Sequence, residues 1–186
     1  MMSRLIAILG LLLTCSLPAF GQVGKLDVSV KRADAEGRHQ YDINASGAVQ
    51  AAPAAVWKIL TNYEKMPEFV PDLRSAKVLS RHGNRAVVEQ VGVARFLFFQ
   101  REIRLVVQVQ EEPVGRIDVN LVDGDMRVYQ CRWELIPDPD TGGTRIVYSG
   151  KVAPRFYVPS MLGANLVRSD IERMMAAVLA RLDQPE

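Results

Sequence analysis

The sequence predicts an α+β protein in which a curved antiparallel sheet wraps around one long C-terminal helix. Between residues 76 and 153, apolar and polar residues alternate in six short segments, as they do in strands with one buried face. The turns between these segments are short. Short turns make neighbouring strands antiparallel, because parallel strands need a crossover of about a dozen residues or more. Residues 158 to 182 instead repeat apolar side chains at helical spacing and form the longest predicted helix.

The first 21 residues have the pattern of a secretory signal peptide. A short positive segment precedes the apolar run LIAILGLLLTCSL, and Ala19, Phe20 and Gly21 form a cleavage site with small residues at alternate positions. The run is short for a membrane span, which needs roughly 20 residues. We therefore expect cleavage near Gly21 and export, to the periplasm in a Gram-negative host. The alternatives are an uncleaved N-terminal anchor and lipidation of Cys15.

Residues 22–186 are expected to form a single domain, because they contain no repeat, linker or low-complexity tract. Two alternating runs around the turn DAEG predict a β-hairpin at the start of this domain, with residues 22–38 as an N-terminal extension. The formal net charge of the chain is only +2, which argues against nucleic acid as a partner. Cys131 is the one cysteine of this part and is expected to be a small buried side chain.

Two short helices are predicted after the first strand or hairpin. Pro53 suits a first helical turn, and Val56 and Leu60 follow it at helical spacing. Pro67 and Pro71 bracket a second, very short helix. The six predicted strands that follow cover residues 76–81, 86–94, 102–111, 116–122, 126–136 and 144–153.

The long helix is predicted to start near Pro159 or Ser160, since proline is common in a first helical turn. Its apolar residues are expected to face the sheet as one stripe, whereas Arg168 and Glu172 face water. The predicted stripe consists of Leu162, Leu166, Ile171, Met174, Val178 and Leu182.

Three phrases of the sequence resemble a known family. VWKILTNYEKMPEFVPDL is similar to the first-helix region of the polyketide cyclase/dehydrase family, which includes the coenzyme Q-binding START-related proteins. GDMRVYQCRWELIP and GGTRIVYSGKVAP follow the order of that family's late strands, and the closing helix completes it. The resemblance extends from about residue 41 to residue 182.

The resemblance implies the helix-grip, or START-like, fold, with an apolar cavity between the curved sheet and the C-terminal helix. Members of the family bind sterols, phospholipids, quinones, aromatic polyketides or plant hormones, and some catalyse ring closure or dehydration. The matching phrases serve turns and packing more than chemistry, so the resemblance is specific for the fold and not for the function.

Catalytic motifs are absent from the sequence. The two histidines, His39 and His82, lie at predicted turns or strand ends, and the chain has no HExxH, CxxC, GxxxxGK[ST] or GxGxxG pattern. We therefore predict no metal, no cofactor and no catalytic residue. Glu89 and Arg101 are the candidate polar groups of the cavity, because a charged side chain that faces an apolar cavity must be paired or change its pKa. The alternative places both on the solvated outer face of the sheet.

Aromatic residues and methionines provide the candidate cavity wall, although a cavity wall and a plain core have the same sequence pattern. The predicted ligand-cavity residues are Phe69, Phe96, Phe98, Leu105, Tyr129, Trp133, Tyr148, Met161, Leu162 and Leu166.

The stretch RFLFFQR places four large apolar residues where the strand pattern predicts a reversal of the chain. A reversal cannot bury all four against one sheet face, so we expect an apolar lip at the cavity mouth. Such a lip, Phe96 to Phe99, would make transient membrane contact, with Arg95 and Arg101 beside lipid phosphates. Plain core packing and a specific protein contact are the alternatives.

These features together predict an exported, non-catalytic protein that binds a hydrophobic small molecule or lipid. A cyclase or dehydratase that folds a polyketide-like substrate is the alternative from the enzyme class, since a cavity can catalyse by geometry and exclusion of water. A protein-interaction module is the third. The sequence does not specify the ligand or the oligomeric state.

Overall fold

The computed structural model of the chain consists mainly of one antiparallel sheet, whose strands alternate inward and outward side chains. The structure describes residues 26–35, 38–96, 99–158 and 162–184. The strands are β1 (Asp27–Ala35), β2 (Arg38–Val49), β3 (Leu73–His82), β4 (Arg85–Phe96), β5 (Phe99–Glu112), β6 (Arg116–Gly124), β7 (Met126–Pro137) and β8 (Thr144–Pro154). The helices are α1 (Pro53–Leu60), a 3₁₀ helix (Tyr63–Glu68) and α2 (Gly163–Leu182).

The strands form one sheet in the order β1-β2-β8-β7-β6-β5-β4-β3, and every neighbouring pair is antiparallel. The predicted combination of antiparallel sheet, two short helices and long C-terminal helix is confirmed. The predicted N-terminal extension supplies β1, which pairs with β2 along its length and forms one edge of the sheet.

The inner face of the sheet follows the period of two that a strand imposes. In β5, Ile103, Leu105, Val107 and Val109 are all buried and belong to one core. The strands β1, β2, β6, β7 and β8 each add at least one large buried apolar side chain to this core, and β4 adds Ala86 and Val88. β3 contributes half-buried residues that pack against this core. β4 ends at Phe96 and β5 begins at Phe99, so the chain reverses where the sequence predicts.

The short helices pack across the inner face of the sheet. Pro53 begins α1, as predicted, and Val56 and Leu60 are buried on one side of the helix. The 3₁₀ helix contains Pro67 and buries Tyr63. Residues 69–72 connect the 3₁₀ helix to β3, which is an edge strand of the sheet. The 3₁₀ helix and this connection thus link α1 to that edge.

The long helix α2 packs on β1 and β2 and contacts α1. It begins at Gly163, later than the predicted start near Pro159 or Ser160, because a proline indicates a nearby helix start and not its position. A Cβ atom at Gly163 would lie 1.9 Å from the hydroxyl oxygen of the buried Tyr41, so only glycine fits where the helix crosses β2. In the described part of the chain, no helix is long and apolar enough to span a bilayer.

The buried face of α2 differs from the predicted stripe. Its buried residues are Gly163, Ile171, Met175, Val178, Leu179 and Leu182. A helix turns by about 100° per residue, so the stripe through Ile171 continues backwards to Val167 and Ala164, which pack against the core. Leu166 lies about 140° away from Ile171 around the helix. The prediction that Leu162 and Leu166 face the sheet is therefore wrong.

Candidate ligand cavity

A small cavity lies between the inner face of the sheet, the 3₁₀ helix and α2. Its volume is about 130 Å³. The lining residues are mostly aliphatic or aromatic, and among the described residues that line the cavity none is charged. They are Leu60, Tyr63, Met66, Val70, Leu73, Gln90, Val107, Val109, Ile117, Val119, Tyr129, Cys131, Trp133, Tyr148 and Met174.

One wall of the cavity is aromatic. Tyr129 and Trp133 point inward from β7, and Tyr148 of β8 lies directly opposite Trp133 in the strand register. The rings of Trp133 and Tyr148 are 4.7 Å apart between centroids and tilted by 60°. Tilted aromatic pairs of this kind are favourable beyond the area they bury, so the pair holds the Tyr148 ring in place. All three residues are on the predicted cavity list, and ligand binding by them stays a prediction.

A thiol and two phenolic hydroxyls meet at this aromatic wall. The Tyr148 hydroxyl donates a hydrogen bond to Cys131 Sγ over 2.9 Å, and the Tyr129 hydroxyl bonds the same thiol. Burial raises the pKa of Cys131 to about 11, although the two tyrosine hydroxyls offset part of this rise. The pKa values of both tyrosines are also well above the usual value: Tyr148 chiefly through burial, Tyr129 through the neighbouring Cys131 and burial. All three groups are therefore uncharged at neutral pH.

The 3₁₀ helix is fastened to the sheet by a buried carboxylate. The Tyr63 hydroxyl donates to Glu111 Oε1 over 2.6 Å, and Arg81 Nη1 donates to the two carboxylate oxygens of Glu111 over 3.0 and 3.1 Å. The Arg81 guanidinium also lies 5.6 Å from the centroid of the Tyr63 ring. Burial, together with the bond to Glu111, raises the pKa of Tyr63, so its hydroxyl remains a donor. Tyr63 thus lines the cavity, and its hydroxyl donates a hydrogen bond to Glu111.

Asp72 ties the segment after the 3₁₀ helix to both α2 and β4. Its carboxylate accepts hydrogen bonds from Arg95 Nε over 2.5 Å and from Arg173 Nη2 over 3.0 Å. Its main-chain oxygen accepts a bond from Val93 N over 2.8 Å. Partial burial alone would raise the pKa of Asp72, but the two arginines hold it below the usual value. Val70 and Leu73 flank this residue and line the cavity, so Asp72 fixes part of the cavity wall.

The structure places several predicted cavity residues elsewhere. Leu105 is buried in the core beside the cavity, and Phe69 packs against the core between lining residues. Glu89 lies on the opposite face of β4 from Gln90, where Arg104 Nε donates to its carboxylate over 2.8 Å. Arg101 is exposed and covers the Phe156 ring at 4.9 Å. The prediction of Glu89 and Arg101 as polar cavity groups is corrected, because strand alternation turns Glu89 outward and Arg101 stacks at the surface.

The remaining predicted residues are outside the cavity or outside the described residues. Leu162 is 37% exposed, and Leu166 is half-buried on a side of α2 that does not face the core. Phe98 and Met161 are outside the described residues, and so is the side chain of Phe96.

Sequence reasoning did not identify four important positions. Gln90 follows Ala86 and Val88 at a spacing of two, and Glu111 follows Val109 in the same way. This alternation places both side chains on the inner face, although Glu111 also resembles the start of the turn EEPVG. Tyr63 and Met174 appeared as ordinary helical core positions, and no feature of the sequence distinguishes a lining side chain from a packed one.

Groups of three or more metal-ligating side chains do not occur within the described ranges. A family profile described as "Polyketide cyclase / dehydrase and lipid transport" matches residues 49–179, which is most of the chain. The chain belongs to this family. Comparison with curated proteins gives no match.

Solved structures with the same fold come from several organisms. A START superfamily protein from Mycobacterium smegmatis is 16% identical with a TM-score of 0.67, over 77% of this chain and 97% of that one. The Zhui aromatase/cyclase from Streptomyces sp. R1128 is 14% identical with a TM-score of 0.65, over 78% and 94%. A STAR-related lipid transfer protein from Xanthomonas axonopodis is 20% identical with a TM-score of 0.60, over 84% and 99%. At these identities the likeness shows only that the chain, a member of the polyketide cyclase/dehydrase and lipid transport family, has the same START-like fold as these proteins.

Proposed function

We propose that the protein binds a small hydrophobic molecule, without transforming it, in the cavity between the sheet, the 3₁₀ helix and α2. The observation that carries this proposal is the apolar lining, which has no charged side chain among the described residues. Burial of apolar surface stabilises a complex by about 25 cal/mol per Å². An uncharged, apolar ligand therefore gains most from this cavity, because an ionised group would lose its hydration there.

The size of the cavity favours a ligand of one ring over a whole lipid. Its volume of about 130 Å³ resembles an engineered apolar cavity of about 150 Å³ that accepts benzene. Pockets for larger ligands usually have about 300 to 1,000 Å³. An aromatic ring, or the ring of a quinone whose tail stays outside, fits this space. A sterol or a phospholipid requires that the 3₁₀ helix or α2 move away from the sheet.

The protonation state of Cys131 supports binding over covalent catalysis. The thiolate, not the thiol, is the nucleophile, and burial raises the pKa of this thiol to about 11. At neutral pH the Cys131 thiol is therefore uncharged and forms part of the cavity wall. The neutral thiol argues against a covalent intermediate on Cys131.

Ethylbenzene is a suitable probe for this function, since it is uncharged and built on one ring. We expect it to raise the thermal midpoint of the mature protein and to change the fluorescence of Trp133. Met174→Trp fills the cavity from α2 and should abolish both effects. Leu166→Trp adds the same side chain on a part of α2 that does not line the cavity and should preserve them. Absence of any ethylbenzene effect on the wild-type protein would overturn the proposed function.

We also propose that the protein is exported and processed near Gly21. The support is the charged start, the apolar run and the small residues Ala19 and Gly21, all of which lie outside the described residues. The intact mass of the protein recovered from its producing cells should correspond to a start near Gln22. Retention of residues 1 to 21 without lipid would contradict this proposal, and a lipid-sized mass on Cys15 would favour a membrane anchor.

We further propose that the tip between β4 and β5 makes transient contact with a membrane. The support is the apolar sequence Phe96 to Phe99, of which Leu97 and Phe98 lie outside the described residues, and the exposed Arg101 beside it. Arg95, the second arginine of the predicted lip, binds Asp72. Anionic lipids attract basic residues near their surface by about 1 kcal/mol each, so Arg101 is the better partner for a phosphate.

The membrane contact is testable with liposomes that contain anionic lipid. Replacement of Leu97 and Phe98 by serine should reduce cosedimentation and leave the thermal midpoint nearly unchanged. Leu79→Ser with Val122→Ser is a matched control, because these side chains are 48% and 57% exposed on other strands. Equal losses in both double variants would reject a specific role for the tip.

A further inference from the structure

The cavity contains hydrogen-bond donors that have only a weak acceptor. The inward-facing residues of β7 bring Tyr129 and Cys131 to one side, and Tyr148 of β8 completes the group. The Tyr148 hydroxyl donates to Cys131 Sγ over 2.9 Å, and the Tyr129 hydroxyl bonds the same sulfur. Sulfur is a weak acceptor, so neither phenol has, among the described residues, the oxygen partner that buried hydroxyls normally find.

The surroundings keep this group open and fixed. Gly150 lies opposite Cys131 in the strand register, and a Cβ atom there would lie 3.3 Å from Cys131 Sγ and 3.6 Å from the Tyr148 hydroxyl. A Cβ atom at this position would therefore crowd the sulfur and contact the hydroxyl. The tilted contact with Trp133 fixes the Tyr148 ring. A fixed hydroxyl loses little conformational freedom when it binds a ligand, which favours affinity.

We propose that Tyr129 and Tyr148, with Cys131 between them, form a polar subsite that binds the oxygen of a neutral carbonyl group on a hydrophobic ligand. This inference rests on the proposed function and names its ligand class: a ring-sized ketone, quinone or ester. The carbonyl oxygen replaces the sulfur as acceptor for one or both phenols. The remainder of the ligand contacts the aliphatic wall formed by residues such as Val107, Ile117 and Val119.

Charge also selects this class. The lining offers hydroxyl, thiol and amide groups, of which Gln90 supplies the amide, and none of these described lining groups is charged. A carboxylate or phosphate buried there would lose its hydration without a counterion, at a cost far above that of a carbonyl. A hydrocarbon ligand would fit, but both phenol hydroxyls would keep the sulfur of Cys131 as their hydrogen-bond acceptor. The carbonyl is thus the group that the cluster satisfies best.

The test compares two ligands of nearly equal shape. Acetophenone carries a carbonyl oxygen and ethylbenzene does not, and titration calorimetry gives the dissociation constant of each. The quantity of interest is the preference for acetophenone over ethylbenzene in each variant relative to wild type, because the hydration of the free ligands then cancels. Two neutral hydrogen bonds predict that Tyr129→Phe with Tyr148→Phe lowers this preference roughly tenfold, while ethylbenzene affinity changes little.

Two further variants sharpen the result. Tyr41→Phe removes a buried hydroxyl that does not line the cavity, so it should leave the preference unchanged. Cys131→Ala removes the competing acceptor and should raise the preference for acetophenone. The carbonyl stretch of bound acetophenone supplies an independent signal: it should lie at lower frequency in the wild-type protein than in the double phenylalanine variant.

Each outcome decides one question. If ethylbenzene binds but the double phenylalanine variant keeps the wild-type preference, the carbonyl subsite is rejected and the proposed function stands. The subsite is also rejected if Tyr41→Phe lowers the preference as much as the double variant does. If neither ligand binds the wild-type protein, the proposed function fails and the subsite fails with it.

Discussion

The thiol of Cys131 experiences very different surroundings in the folded and unfolded chain. Burial raises its pKa from 9.0 to about 11, and the tyrosine hydroxyls only partly oppose this shift. Above pH 9 the unfolded chain therefore loses the proton while the folded chain retains it. The unfolded state then binds fewer protons, so stability must fall as the pH rises through this range.

This linkage gives a prediction for Cys131→Ala. Between pH 7 and pH 10, the wild-type protein should lose about 1.4 kcal/mol more stability than the variant, since one pKa unit corresponds to about 1.4 kcal/mol. Urea unfolding, followed by tryptophan fluorescence at several pH values, measures the difference. Tyr63 adds a similar loss at higher pH in both proteins, whereas Tyr129 and Tyr148 owe part of their raised pKa to Cys131, so the comparison is made at or below pH 10. Parallel stability curves would show that the thiol is not protected by burial.

Single residues also show where prediction from the sequence succeeds. Tyr129, Trp133 and Tyr148 lie where strand alternation and aromatic character indicate, because both signals depend on local sequence. Glu111 was missed although alternation places it inward. Its burial depends on Tyr63 and Arg81, which come from distant segments. A charged residue at a strand end cannot be assigned to the interior until such partners are known.

At the scale of elements, the strands were easier to predict than the phase of the long helix. The bounds of the six strands agree within a few residues: the structure extends β3, β4 and β5 at both ends and β6, β7 and β8 only at their C-terminal ends. The period of a strand is two, so one apolar residue fixes the face of all the others. In α2 each residue is rotated by about 100° from the one before it, so the side of the helix that a residue faces depends on its exact spacing. Leu166 and Ile171 are five residues apart and therefore face different sides. Apolar identity alone placed Leu166 on the wrong side.

The phase of α2 predicts unequal effects of two similar truncations. Met175 is fully buried, so Met175→Ala should reduce the free energy of unfolding by about 2 to 5 kcal/mol. Leu166→Ala removes a comparable volume outside the buried stripe and should cost about 1 kcal/mol or less. Chemical denaturation of both variants measures these values. If Leu166→Ala reduced the free energy of unfolding more than Met175→Ala, Leu166 would face the sheet as the sequence predicts.

At the scale of the whole molecule, Asp72 connects three parts of the chain. Its carboxylate binds Arg95 of β4 and Arg173 of α2, and residues on both sides of it line the cavity. Met174, the neighbour of Arg173, forms part of the facing wall. The pair of Asp72 and Arg173 therefore bridges two walls that must separate if a ligand larger than the cavity is to enter.

Arg173→Gln should consequently accelerate ligand exchange. Loss of a charge-assisted bond to a partly buried carboxylate predicts a destabilisation of about 1 to 3 kcal/mol and faster dissociation of ethylbenzene, which line-shape analysis by NMR measures. Arg168→Gln on the same helix is the control, because the ion pair of Arg168 within the described part of the chain is with Glu172, one turn away at the surface. Such pairs contribute about 0.5 kcal/mol or less. Equal exchange rates in the two variants would show that Asp72 does not hold the cavity closed.

The pairing of β2 with β8 has a consequence for the order in which the protein folds. Tyr41 pairs with Val152, so β2 and the hairpin it forms with β1 cannot join the sheet until nearly the whole chain has been synthesised. Pairing across such a separation is slow, because a long loop must close before any contact is gained. For a chain that leaves the cytoplasm as proposed here, this delay would keep β2 and β8 unpaired during translocation, and the sheet would be completed only after β8 has emerged.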